Sequence, residues 1–488
     1  MKRLFDMTEN TDNNNINESD NGEVRKKHSP WKVVYIILGA LALLIGISFL
    51  PLSKMTGGWL SDINLFSDIL NIGQPEEKDM PGAYVDPCLA EAINEAAAEP
   101  DTRAVDTTVT VESNEVPVLA VQPNRVDGEV VIEDYTEAGR GLKRLREAIT
   151  SGRMGRIAVI GDSYIEGDIF SEDLREMLQN SYGGSGVGYI NMHSEFPGFR
   201  RSVKQGGGEG WKEFAANGKH DSDYMGLAQH YYKLSSPTAS TYSGSSSFSH
   251  VDKWNESKFL FIAPQSTVIK TRTSGGDWVE HQVEGSPDVQ CITVDGETSK
   301  FDVSVSDNSV IGLGVWLTDK TGVNVDCMSS RGFSGVTLRK ISPELASQMR
   351  KFIDYDLIIL EFGINAMSAK QTNYDGYAKS MINVVEHVRQ CYPNSDIMIM
   401  GIGDRGSKRG TEVHSMSAAP HMVSAQRDMA RKAHCLFWDT RESMGGEDAI
   451  VRWVRDGLAN KDYIHLNHKG GRKLAEPLSN AIRQNLDK

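Results

Sequence analysis

Five positions in this chain carry side chains or backbone groups that, brought together, could cleave an ester. Ser163 closes the run Arg156-Ile157-Ala158-Val159-Ile160-Gly161-Asp162-Ser163, a β-branched apolar stretch ended by glycine. Such a run suits a strand buried on both faces of a parallel sheet, with the serine delivered at its carboxyl end. Far downstream, Asp462-Tyr463-Ile464-His465 sets a carboxylate three residues before an imidazole. In one turn that spacing lets the Asp hold one ring nitrogen and leaves the other for a nucleophile. Between them lie Arg331-Gly332-Phe333-Ser334-Gly335 and Gly363-Ile364-Asn365, the latter directly after the apolar strand Leu357-Ile358-Ile359-Leu360. Taken singly, each block reads equally well as a turn, since Gly, Asp, Asn and Ser dominate turns.

In this order the four blocks resemble those of the SGNH (GDSL) hydrolases, from about Gly155 to the C-terminus. The resemblance implies a serine hydrolase with Ser163 as nucleophile, His465 as base and Asp462 as its orienting partner. It also implies an oxyanion hole made by the backbone N–H of Ser163, the backbone N–H of Gly335 and the side-chain amide of Asn365. Gly335 is preferred to Gly332 because the hole glycine of the second block follows the serine. Tyr164 and Ala366 stand where many members have Leu and Asp, which bears on pocket shape. The rival bases His468 and His414 have no acidic residue three positions upstream.

The elements that must position these residues alternate strand and helix. Helical spacing covers 135–149, the stretch from Ser171, the stretch from Tyr374 and 421–433, and strands cover 357–361, 397–400 and 435–438. Alternation of this kind predicts an α/β fold, a flavodoxin-like doubly wound parallel sheet. From 197 to 328 the pattern changes to short β-rich runs separated by Gly, Asp, Ser and Pro, which predicts an inserted all-β sandwich. The hydrolase domain is thus expected in two parts, 131–196 and 329–488. This layout resembles SGNH members with an inserted carbohydrate-binding-like module, among them peptidoglycan O-acetylesterases. Trp211, Trp254, Trp278 and Trp316 become candidates for stacking on sugar rings, with core filling as the competing reading. The glycine-dense loop from Tyr182 to Tyr189 lacks a Gly-Lys-Ser/Thr ending and is expected near the active-site rim rather than around a phosphate.

The 488-residue chain has a formal net charge of -14, which argues against nucleic-acid binding. Residues 1–30 are polar and predict a disordered tail. Within residues 31–52, Val33 to Leu52 is about twenty residues with no ionisable side chain except Tyr35, enough for one transmembrane helix. Arg25, Lys26, Lys27 and Lys32 precede it and Lys54 follows, so the N-terminus is expected in the cytoplasm and the rest of this single-pass inner-membrane protein outside it. Residues 53–130 predict an acidic, extended stem: fifteen Asp and Glu face three Lys and Arg between Glu76 and Asp134. Trp59 to Ile72 could add a short docking helix. Five scattered cysteines exclude a disulfide-stapled fold, although Cys291 and Cys327 could pair, and no metal-ligand spacing or cofactor motif occurs. The expected partner is an acylated glycan, peptidoglycan or another exported polysaccharide, deacylated by the triad. An O-acyltransferase and a non-catalytic glycan-binding envelope protein remain alternatives.

Overall fold

The computed structural model describes residues 76–98, 124–126 and 128–487, together with positions 34, 35 and 38–40, which are helical. The expected tail 1–30, most of the transmembrane segment 31–52, the stem up to residue 75 with its short docking helix, and residues 99–123 lie outside the described residues. Among the described residues no helix is long and apolar enough to cross a membrane.

Five parallel strands carry the site: β1 (Gly155–Gly161), β2 (Val323–Ser329), β3 (Leu357–Glu361), β4 (Asp396–Met400) and β5 (Leu436–Trp438). Their order across the sheet is β2-β1-β3-β4-β5, and Glu133–Asp134 adds a short antiparallel edge beside β5. This is the flavodoxin-like doubly wound order, in which the carboxyl ends of the central strands frame the ligand crevice. Every residue of β1, β3 and β4 is buried, as expected of strands covered on both faces. Four helices complete the layers: α1 (Ser171–Tyr182), α2 (Asp375–Cys391), α3 (Ala419–Lys432) and α4 (His468–Leu486). Helix α1 packs against α4, and α2 against α3. The helix expected over 135–149 is shorter, Lys143–Thr150, after a 3-10 turn at Glu137–Gly139. Gly139 and Gly141 hold positive φ there, which interrupts the helical path.

The β-rich stretch forms two antiparallel sheets. One runs, in spatial order, Val279–Val283, Thr267–Thr273, Lys300–Val305, Thr238–Gly244, Val203–Gly207; the other runs Ser286–Thr298, Trp254–Ala263, Ile311–Thr318, His230–Leu234, Trp211–Ala215. Tyr242, Phe301 and Val303 from the first meet Phe259, Phe261 and Val315 from the second in one buried cluster. The second sheet turns its other face, with Leu260, Ile262 and Trp316, into the core shared with the parallel sheet.

Several expectations need correction here. Strand pairing in the β region begins at Gly188–Ile190, which joins Ile311–Thr318, rather than at 197. It ends at Thr318, because 323–329 is β2 of the parallel sheet, paired with β1. Cys327 therefore sits in the parallel sheet, and both it and Cys291 are free thiols. Trp211, Trp254 and Trp316 are buried, and the Trp316 indole donates to Asp326 Oδ2 at 2.9 Å. Trp278 is the exposed one, with Arg272 over its ring at 4.6 Å. The glycine loop packs at the amino end of β2, where Gly183 O accepts from Val323 N, away from the strand ends that carry the site. Residues 76–98 are not an extended spacer. Glu77–Asp79 adds an antiparallel strand to Gly406–Arg409, and helix Cys88–Ala98 packs on α2. Leu89, Ala92 and Ala96 are its buried stripe, at the helical spacing that seats an amphipathic helix.

Candidate active site

Strand β1 ends at Gly161, and Ser163 lies on the turn beyond it. That turn is held from below. Asp168, at φ 67°, is fully buried and accepts two bonds from the Arg175 guanidinium at 2.8 Å each. Arg200 and Ser202 also donate to Asp168, while Arg175 Nε reaches Val325 O on β2 at 2.7 Å. Burial opposes the Asp168 charge, yet the two arginines outweigh it and hold its carboxyl far below the usual range. The other side of the turn meets α4: a Cβ on Gly471 would lie 1.8 Å from Ile169 O, so only glycine allows that approach. This explains one glycine of the pair that follows His465.

The loop before α4 presents His465 to Ser163. Ser163 Oγ lies 2.8 Å from His465 Nε2, and His465 Nδ1 lies 2.8 Å from Asp462 Oδ2. Asp462 Oδ1 accepts from the backbone N–H groups of Ile464 (3.0 Å) and His465 (3.1 Å). Burial would raise the Asp462 carboxyl, but the ring hydrogen bond and these two N–H groups win and bring it to about 2. An ionised carboxylate only accepts, so Nδ1 carries the ring proton and Nε2 is left to accept from the serine hydroxyl. Tyr463, between the two, sits at φ 57°, a left-handed conformation that costs free energy in a non-glycine residue. Its carbonyl is tied down by Gly406 N at 2.8 Å. His468 and His414 are engaged elsewhere: His468 pairs with Glu172 at 2.7 Å, and His414 lies 3.4 Å from both Glu412 and Asp448.

Asn365 arrives on the 3-10 turn after β3, at the carboxyl end of the neighbouring strand. Its Nδ2 donates to Asp162 Oδ2 and to Phe333 O, each at 2.9 Å. Both amide protons are therefore engaged. Beneath Asn365, Asp162 and Glu361 are both fully buried, and neither Glu361 oxygen has a hydrogen-bond partner among the described residues. Burial pushes the Asp162 carboxyl up to about 7 against the Tyr164 N–H and the Asn365 amide, and burial together with the Asp162 charge pushes Glu361 well above the ordinary carboxylate range.

These residues open into a pocket of about 370 Å³ lined by Tyr84, Ser163, Gly332, Ile364, Asn365 and His465, with Arg331, Arg405, Gly82 and Ile464. Gly332 is on this wall and Gly335 is not. Gly335 is buried, its Cα facing Met381 and Phe362, and it caps the 3-10 turn Val336–Lys340. Gly335, expected as the second-block oxyanion donor, is thus absent from the pocket lining, whereas Gly332 lines the pocket with Ser163. Arg331 also lines a larger groove of about 880 Å³ running past Phe196, Phe199 and Trp211. Among the described residues no cluster of side chains could hold a metal ion.

Tyr84, Gly82 and Asp86 were missed by sequence reasoning. They belong to the stretch assigned to the stem, and no local pattern ties 76–98 to residues some 250 positions downstream.

Neither a protein-family model nor a curated protein sequence matches the chain. Solved structures do. A peptidoglycan O-acetylesterase is 22% identical, with 73% of this chain and 99% of that chain covered at a TM-score of 0.59. A family two carbohydrate esterase from Cellvibrio japonicus is 9% identical over 58% of this chain and 99% of its own, at a TM-score of 0.25. Only the former likeness is close enough to speak for the fold. With the 2-1-3-4-5 strand order, it shows that this chain shares the doubly wound α/β fold of that structure.

Proposed function

We propose that this chain is a serine esterase that removes O-acyl groups, acetyl foremost, from a cell-wall or other exported glycan. The observation that carries the reading is the unbroken relay Ser163 Oγ, His465 Nε2, His465 Nδ1, Asp462 Oδ2, with 2.8 Å at each step and an open pocket over the serine.

In the reaction, His465 takes the Ser163 proton as Oγ attacks the ester carbonyl, then gives it to the departing sugar oxygen. Asp462 keeps the tautomer and steadies the imidazolium. The oxyanion forms beside the Ser163 backbone N–H and the Asn365 amide, with Gly332 flanking the same pocket. A water then attacks the acyl-enzyme through the same base, releasing the acid. The fold shared with a peptidoglycan O-acetylesterase supports a glycan as the alcohol part of the substrate. The about twenty residues from Val33 to Leu52 with no ionisable side chain except Tyr35, and lysines and arginine before them, support an anchor that leaves the catalytic part outside the cytoplasm.

The test is release of acetate from a panel of O-acetylated glycans by purified protein, with Ser163→Ala as control. Acetate from at least one glycan, absent in the variant, is expected; no ester turnover on any substrate would overturn the reading. A reporter fused after Lys488 tests the topology, and activity inside the cytoplasm would refute export.

A further inference from the structure

The segment 76–98 precedes the catalytic fold in sequence but is built into its site. Glu77–Asp79 pairs with Gly406–Arg409, and helix Cys88–Ala98 buries its apolar stripe on α2. Between these two anchors, Asp86 is buried and fastens the crossing to both loops that flank the nucleophile. Its Oδ2 accepts from Ser334 N (2.8 Å) and Ser334 Oγ (2.7 Å), its Oδ1 from Cys88 N (2.9 Å), and its own N–H donates to Asn365 O (2.9 Å). The frame holds up an aromatic ring that is not buried. Tyr84 is 46% exposed, lines the catalytic pocket with Ser163 and His465, and lies against Gly332: a Cβ there would be 3.0 Å from Tyr84 Cε1.

A large aromatic that fills no core, fixed at the mouth of a pocket over a nucleophile, has the chemistry to cover the apolar C–H face of a pyranose. Gly332 without a side chain leaves the ring room. The other pocket aliphatics, Ile364 and Ile464, are buried, so the exposed ring is the apolar surface a sugar meets on entry. We propose that Tyr84 is the platform for the sugar that carries the scissile ester, so that the upstream segment 76–98 supplies part of the substrate site. This rests on the esterase reading and names the group that recognises its substrate.

The test compares two acetyl esters with alkoxide leaving groups, glucose pentaacetate, which has a pyranose ring, and triacetin, which has none. Tyr84→Ala is expected to raise KM for glucose pentaacetate about tenfold, the scale of losing one aromatic contact, and to raise KM for triacetin, which has no pyranose face to cover, by a clearly smaller factor. Tyr84→Phe, which keeps the ring, is expected to restore the wild-type KM. Melting temperature should be unchanged in both variants, since the ring is half exposed. An unchanged KM for the sugar ester in Tyr84→Ala, or an equal loss on both esters, would overturn the platform. Turnover of neither ester by the wild type would instead count against the esterase reading, and the platform would fall with it.

Discussion

Replacing Ser163 by alanine removes the atom that forms the acyl-enzyme, and the geometry allows the loss to be sized. No other hydroxyl stands within hydrogen-bonding distance of His465 Nε2 among the described residues, so no neighbour can substitute. Triads lose roughly 10⁴ to 10⁶ in kcat when nucleophile or base is deleted, about 5 to 8 kcal/mol of transition-state stabilisation. Ser163→Ala and His465→Ala should each fall in that range. The double variant should be hardly slower than either single one, because the two groups act as a unit through one 2.8 Å contact. Asp462→Ala should cost less, on the order of 10² to 10³, below the roughly 10⁴ of a buried triad aspartate. Its side chain is 37% exposed, so water can take over part of its role toward Nδ1–H. The assay is steady-state acetate release by proteins whose far-UV dichroism and melting curves match the wild type. A folded Ser163→Ala that keeps wild-type turnover, or a double variant whose losses multiply, would refute the relay.

Asn365→Ala should lower kcat by about 10² to 10³ with little change in KM, the usual consequence of losing one oxyanion donor; an effect on KM alone would place Asn365 in binding instead. Asp168→Ala leaves the buried Arg175 charge without its bidentate partner, and a chemical-denaturation series should show a loss of about 3 to 5 kcal/mol. The buried pair Asp162 and Glu361 has raised carboxyls, so its protonated form favours the fold. That contribution is present at low pH and is lost as pH rises through the raised values. Glu361→Gln keeps the shape without the ionisation, so its melting temperature should fall less between pH 6 and pH 8 than that of the wild type. Asp462 has the opposite sign: held at about 2, it stabilises above the usual carboxylate pKa, and that contribution should fade as pH drops towards 2, which Asp462→Asn should remove from the acid limb of the melting profile.

The turn that carries Ser163, the Asp462–His465 pair and the order of the α/β elements were legible in the chain because each rests on local pattern. A run of β-branched residues ended by glycine makes β1 whatever surrounds it, and three-residue spacing is enough to let Asp462 reach the His465 ring. Strand limits in the β region were not legible. Residues 323–329 look like any apolar strand, and only their pairing with β1 assigns them to the parallel sheet. Register and partner are properties of two strands at once. The tryptophans illustrate the same limit, since a half-buried and a fully buried Trp have the same sequence neighbours, and packing alone put Trp254 and Trp316 in the interior. Segment 76–98 was read as stem from its acidic average, yet its acids are spent individually: Asp86 on Ser334, Glu77 on Ser407 and Ser417, Asp79 beside Arg405. Composition reports the sum of charges, whereas the fold depends on where each partner is, and those partners lie hundreds of residues away until the tertiary structure brings them within a hydrogen bond.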